Sequence, residues 1–149
     1  MRALVTGGAG FIGSYLAEEL AARGCEVSIW DNLFRGKYEN IAHLIHNGNY
    51  FYELDLAKEE NITRMAELLL KERPAYIFHY AAINGTQYFY DIPAKVLEVN
   101  TNATYNLMRA VRMAKQSDAG FHTKMIYASS SEVYGEPFSL PTKETDVTY

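Results

Sequence analysis

The sequence predicts an α/β chain built as a doubly wound parallel sheet of the Rossmann type, with helices on both faces and strand order 3-2-1-4-5. Three observations carry this. Short apolar runs recur five times and alternate with longer segments of helical periodicity. The first run, Ala3-Leu4-Val5, leads directly into Thr6-Gly7-Gly8-Ala9-Gly10-Phe11-Ile12-Gly13, a glycine turn that opens a helix. The second run ends in a carboxylate, Asp31, 18 residues beyond Gly13. Parallel crossovers are right-handed, so the strand carboxyl ends share one edge. A ligand crevice is expected there between strands 1 and 4, where the strand order reverses.

Each element follows from local composition. Arg2–Thr6 is apolar throughout, as a strand covered on both faces should be. In the turn, Gly7 permits the tight exit from the strand. Gly10 lets the backbone approach a pyrophosphate, and Gly13 lets the helix pack closely on the sheet. The helix N-terminus then aims free N–H groups and the positive dipole end at phosphates. The turn therefore points to dinucleotide binding. Helix Phe11–Arg23 is expected to bury Phe11, Ile12, Tyr15, Leu16 and Leu20, with Gly24 as its stop. Glu26–Asp31 is the second strand. A carboxylate at its tip accepts hydrogen bonds from the adenosine ribose hydroxyls and repels a 2′-phosphate, which favours NAD over NADP.

Phe34–Asn40 reads as a polar connection and Glu39–Ile45 as a short helix. His43 and His46 lie on that helix without a carboxylate or cysteine to complete a metal site, so no metal is expected. Tyr50–Leu54 is the third strand, and Lys58–Lys71 an amphipathic helix with Ile62, Met65, Ala66 and Leu69 on one stripe, ended by Pro74. Ala75–Tyr80, the fourth strand, runs into Ala81-Ala82-Ile83-Asn84-Gly85. Two alanines at a strand's carboxyl end leave room for a flat ring against the backbone. Asn84–Asp91 reads as a polar, aromatic loop, either a substrate contact through Asn84, Gly85 and Gln87 or a cover over the core. Pro93 opens a helix through Lys115, with Val96, Val99, Leu107, Ala110 and Val111 inward and Asn100 midway. Thr123–Ala128 is the fifth strand and leads into Ser129-Ser130-Ser131-Glu132.

The totals limit the partners. The 149 residues are expected to form one domain with a real core. A formal charge of −4 without a Lys/Arg block argues against nucleic acid or an anionic membrane as partner. Cys25 is the only cysteine, which excludes an internal disulfide and fits a reducing compartment. No apolar run approaches the roughly 18 residues of a membrane span. A cytoplasmic location is expected.

The sequence resembles the extended short-chain dehydrogenase/reductase family of nucleotide-sugar epimerases, dehydratases and decarboxylases. The matching pieces are T-G-G-A-G-F-I-G (6–13), D-N (31–32), D-L (55–56), H-Y-A-A (79–82), Asn100 in V-N-T-N-A-T, and S-S-S-E-V-Y-G (129–135). They fall in the family's order and cover nearly the whole chain. D-N-L-F-R-G-K-Y-E-N-I and the aromatic segment ending in Asp91-Ile92-Pro93 are most similar to UDP-glucuronate decarboxylases and neighbouring epimerases.

The resemblance implies roles. Asp55 would bond the adenine amino group, and Leu56 would give a backbone contact to the same ring. Ala81 and Ala82 would line the nicotinamide ribose, while Phe11, Ile12, Asn32, Asn100 and Ser129 complete the NAD contacts. Ser130 would bond the sugar hydroxyl being oxidised, and Glu132 would sit near the sugar ring. The implied chemistry is epimerisation, dehydration or decarboxylation of a UDP-, GDP-, CDP- or dTDP-linked sugar through a transient 4-keto sugar. The family's glycine after N-x-x is replaced by Ala103, also small. Ser131 stands where one type of dehydratase has an aspartate, which lowers that reading.

The family's Y-x-x-x-K proton acceptor is missing. Tyr149 follows Ser130 by only 19 residues with no lysine after it, so the catalytic role is not carried to it. The chain is thus expected to be the cofactor domain of a longer enzyme lacking its substrate domain, inactive alone, with a homodimer as the full-length form. The alternative, from another class, is a non-catalytic NAD-binding sensor of the same fold. Ser130 and Glu132 argue mildly against it, since a pure binder does not need them.

Overall fold

β1 (Arg2–Thr6), β2 (Glu26–Asp31), β3 (Tyr50–Glu53), β4 (Tyr76–His79) and β5 (Lys124–Tyr127) pair in parallel in the order β3-β2-β1-β4-β5. This computed structural model describes residues 1–137 and 140–148. Tyr149 and the side chain of Ser131 lie outside the described residues. The order matches the sequence expectation, and every strand begins and ends within two residues of its expected bounds.

β1 is bonded on both sides, to β2 and β4. Successive side chains on a strand face opposite ways, so β1 feeds two cores. Leu4 joins Ile77, Met65, Leu69, Leu107, Ala110 and Phe121 beneath α3 (Ile62–Glu72) and α5 (Pro93–Ser117). Val5 joins Val27, Ile29, Ala17, Ile41 and Leu44 beneath α1 (Phe11–Ala22) and α2 (Ala42–His46). Both faces are covered, as continuous apolar strands require. The inner stripe of α3 holds the four residues expected. On α5, Val96, Leu107 and Ala110 are buried, while Val99 and Val111 are half-buried.

Two expectations are corrected. The buried side of α1 is Gly13, Ser14 and Ala17, with Leu16 and Leu20 partly covered. Phe11, Ile12 and Tyr15 are 79%, 62% and 63% exposed, and Phe11 packs edge-on against Tyr15 at 5.5 Å. The small residues let the helix lie close to the sheet, which turns the bulky ones outward. The second correction concerns residues 84–91. Thr86–Asp91 forms a short helix, α4, rather than a loop. Gly85 (φ +122°) precedes it, and Gln87 Nε2 donates to Asp91 Oδ2 across one turn at 2.7 Å. Phe89 and Tyr90 are exposed, so the segment does not cover the core.

Candidate functional site

The parallel register aligns the carboxyl ends of all five strands: Thr6 lies beside Trp30 and His79, Asp31 beside Glu53, and His79 beside Tyr127. Around this edge the exits of β1 and β4 touch backbone to backbone. A Cβ on Gly7 would lie 2.8 Å from the carbonyl of Tyr80 and the nitrogen of Ala81, and Gly7 has φ +69°. Glycine is required there on both counts. Gly13, on the buried face of α1, is also packed against the turn itself. A Cβ there would sit 2.2 Å from Gly7 O and 2.8 Å from Gly8 Cα, so its tightest contact is with the incoming turn.

Gly10 faces open space. Its Cβ would meet only Gly7 O, at 3.2 Å. Gly10 is also the N-cap of α1, with no side-chain cap and no acidic residue in the first turn. The opening amides, those of Phe11 and Ile12 among them, therefore lack intrahelical partners beside an unneutralised dipole end. An anionic group fits that cradle.

Asp31 is 7% exposed and joins the turn to the β2 exit. Ala9 N donates to its Oδ2 at 3.0 Å and Leu33 N to its Oδ1 at 2.8 Å. Burial raises its pKa, opposed by those two amides. Each oxygen keeps a lone pair for a further donor. The carbonyl of the same residue is also fixed: Ala9 O accepts from Lys37 N at 3.1 Å and Asn40 Nδ2 at 2.9 Å. Gly36 lies against Ala9, where a Cβ would approach it to 2.8 Å. Asn32 is exposed, and its Oδ1 accepts from Phe34 N at 3.1 Å.

The β3 exit is shaped from behind. Asp55 Oδ1 accepts from Ala57 N (3.0 Å) and Asp55 O from Asn61 Nδ2 (2.9 Å). Leu56 is buried and its carbonyl accepts from Asn106 Nδ2, a buried side chain of α5, at 3.0 Å. Ala81 is half-buried and Ala82 exposed beside the crevice. Both ends of the Asn100 carboxamide are engaged by one residue: Ile83 N donates to Oδ1 at 2.7 Å, and Nδ2 donates to Ile83 O at 3.0 Å. Asn100 therefore holds the β4 exit loop.

At the rim, Arg35 donates to Asn84 O and lies 5.1 Å over the Tyr88 ring, with Phe34 6.1 Å from Tyr88. The loops after β2 and β4 thus meet through Arg35 and Phe34. Asn84 Oδ1 accepts from Gly85 N, and Gln87 is bonded within α4. Beyond β5, Ser129, Ser130 and Glu132 are exposed, and Ser130 Oγ accepts from Glu132 N at 3.2 Å. His43 pairs with Glu18 at 2.8 Å. Among the described residues no group of three His, Cys, Asp or Glu could hold a metal, and no helix is long and apolar enough to cross a membrane.

The geometry has known counterparts. A family model described as GDP-mannose 4,6 dehydratase matches residues 4–149. The chain belongs to that family. The GDP-mannose 4,6 dehydratase family sits within the extended short-chain dehydrogenases/reductases, as the motifs imply. UDP-glucuronic acid decarboxylase 1 of Arabidopsis thaliana is 36% identical over 145 residues, 97% of this chain and 30% of the relative. The UDP-glucose 4-epimerase of Thermus thermophilus, solved in complex with NAD, superposes with a TM-score of 0.79 at 35% identity, covering 100% of this chain and 44% of that one. That of Stenotrophomonas maltophila, with NAD and formylated UDP-arabinopyranose bound, gives 0.84 at 28% identity over 100% and 43%. The chain thus spans about a third of the decarboxylase and less than half of each epimerase.

Sequence reading missed four contributors: Gly36, Asn40, Asn106 and a buried group in which Thr6 Oγ1 lies 2.7 Å from His79 Nδ1 and Thr104 Oγ1 lies 3.0 Å from His79 Nε2. A signal existed for some of these residues. Thr6 and His79 are polar residues ending apolar strands, and Asn106 interrupts the apolar stripe of α5. Asn40 gave none, because a turn asparagine is ordinary.

Proposed function

We propose that residues 1–149 are the NAD-binding domain of a cytoplasmic enzyme that epimerises, dehydrates or decarboxylates a nucleotide-linked sugar. The observation that carries this reading is the open, uncapped cradle at Gly10, facing the same edge as Asp31, Asp55 and Ala81-Ala82. The solved relatives with NAD support it, and the UDP-sugar on one of them supports the substrate class. When bound, NAD supplies a two-electron acceptor that is regenerated within the cycle. The α1 amides would hold the pyrophosphate, and Asp31 the adenosine ribose hydroxyls. Asp55 and Leu56 would hold the adenine, and Ala81 and Ala82 the nicotinamide ribose. Ser130 would donate to a sugar hydroxyl and Glu132 would stand by the ring. The full-length protein is proposed to be a homodimer, for which the outward Leu97, Tyr105 and Met108 of α5 offer apolar surface.

Gly10→Val tests the reading. Position 10 is extended (φ −76°, ψ 177°), which valine adopts readily; its Cβ needs a small give at Gly7 O, 3.2 Å away, and the rest of the side chain fills the phosphate cradle. NAD affinity should fall at least about a hundredfold, the scale of several lost charge-assisted contacts. A folded Gly10→Val protein with parental NAD affinity would remove the basis for the proposal. The 149 residues alone should turn over no nucleotide sugar. NAD binding without turnover by the full-length protein would favour the sensor alternative.

A further inference from the structure

Ala81 and Ile83, on either side of the β4 exit, are joined by one circuit of hydrogen bonds through four side chains. Ala81 N donates to Thr6 Oγ1 at 3.3 Å, and Thr6 Oγ1 lies 2.7 Å from His79 Nδ1. His79 Nε2 lies 3.0 Å from Thr104 Oγ1, which donates to Asn100 O at 3.1 Å. The Asn100 carboxamide then clasps Ile83 N and O.

The direction of each proton follows from the two ends. A peptide carbonyl only accepts, so the single hydrogen of Thr104 goes to Asn100 O. Towards His79 the Thr104 oxygen can therefore only accept, which places the imidazole proton on Nε2. Nδ1 of the neutral ring is then bare and takes the hydrogen of Thr6. The Thr6 oxygen keeps a lone pair for Ala81. His79 is 2% exposed and stacks on Tyr127 at 5.8 Å. Burial alone lowers its pKa to about 4, so the ring is neutral near pH 7.

Resting on the crevice reading above, we propose that His79 and Thr104 are positioning residues: locked in one tautomer, they fix the residue 81–82 backbone against which the nicotinamide half of NAD lies. They touch no cofactor themselves. They act through Thr6 and Asn100 on the backbone around Ala81 and Ala82, whose own side chains are only methyl groups. Methyl side chains carry no polar group, so the side-chain hydrogen bonds that fix this backbone come from Thr6 and Asn100.

The test pairs an isosteric deletion with its conservative rescue and two probes of different length. Thr104→Val removes the hydroxyl and keeps the shape. It should weaken NAD about tenfold, the size of one broken buried hydrogen bond, and leave ADP, which lacks the nicotinamide half, within about twofold of the parent. Thr104→Ser should restore NAD binding. Equal weakening of NAD and ADP would mean general damage, and no weakening of either would mean no role; both overturn the proposal. Nitrogen NMR of His79 gives a readout independent of ligand. The Nε2–H form is expected, and an Nδ1–H form would overturn the circuit whatever the binding results. If the parent binds neither NAD nor ADP, the crevice reading fails instead, and the tautomer still decides the circuit.

Discussion

Gly13→Ala should lower the unfolding free energy by about 3 kcal/mol, at the upper end of ordinary overpacking. The added methyl would lie 2.2 Å from Gly7 O, 2.8 Å from Gly8 Cα and 2.9 Å from Gly7 C. All three are backbone atoms of a turn that cannot swing aside as a side chain could. Gly7 is itself fixed against Tyr80 and Ala81 and donates to Trp30 O at 2.8 Å. Any retreat of the turn therefore disturbs the β1–β2 and β1–β4 junctions together. Helix propensity pulls the other way, since alanine gains about 1 kcal/mol over glycine inside a helix. Sterics win because an overlap of about 1 Å exceeds what small relaxations absorb. Urea unfolding of the two proteins measures the difference, and a Gly13→Ala variant as stable as the parent would refute this packing account. The contrast with Gly10→Val is informative: one glycine serves the fold of the turn, the other the space beside it.

That contrast also shows where sequence reasoning reaches its limit. The motif spacing located the crevice, because a strand, a glycine turn and a carboxylate at the next strand end are all local patterns. Which face of α1 is buried was not local. The i, i+4 rule favoured Phe11 and Tyr15, but the contact with the sheet is so close that only Gly13, Ser14 and Ala17 fit. Asn100 was found by its motif and not by its action. Its two bonds to Ile83 depend on how α5 crosses the β4 exit, 17 residues away in sequence. The helical α4 escaped notice for a related reason. Six residues are too few for periodicity to register, and a single Gln87–Asp91 contact closes the turn.

Acid should destabilise the protein through His79 before the carboxylates respond. Its folded-state pKa is lowered from 6.5 to about 4 by burial. Between those values the unfolded chain binds the extra proton and the folded one does not, so stability falls as pH drops through this window. The interval from 6.5 to about 4 corresponds to about 3 kcal/mol, present in full above pH 6.5 and lost by about pH 4. Asp31 acts with the opposite sign. Its pKa is raised, so its contribution is complete below the ordinary value of 3.8 and is lost as pH rises through the raised value. As pH falls it therefore returns stability and opposes the His79 loss. His79→Phe keeps a ring in the cavity but cannot titrate. That variant should be less stable near pH 7, because Thr6 and Thr104 lose their partner, yet it should lack the His79 share of the parent's loss between pH 6.5 and about 4. Equal acid slopes for parent and variant would show that His79 is not the buried base. The structural reason for the effect lies in the circuit itself. A protonated Nδ1 must donate to Thr6, so the Thr6 hydrogen loses its acceptor, and the first link holding Ala81 is rebuilt at the pH where the fold weakens.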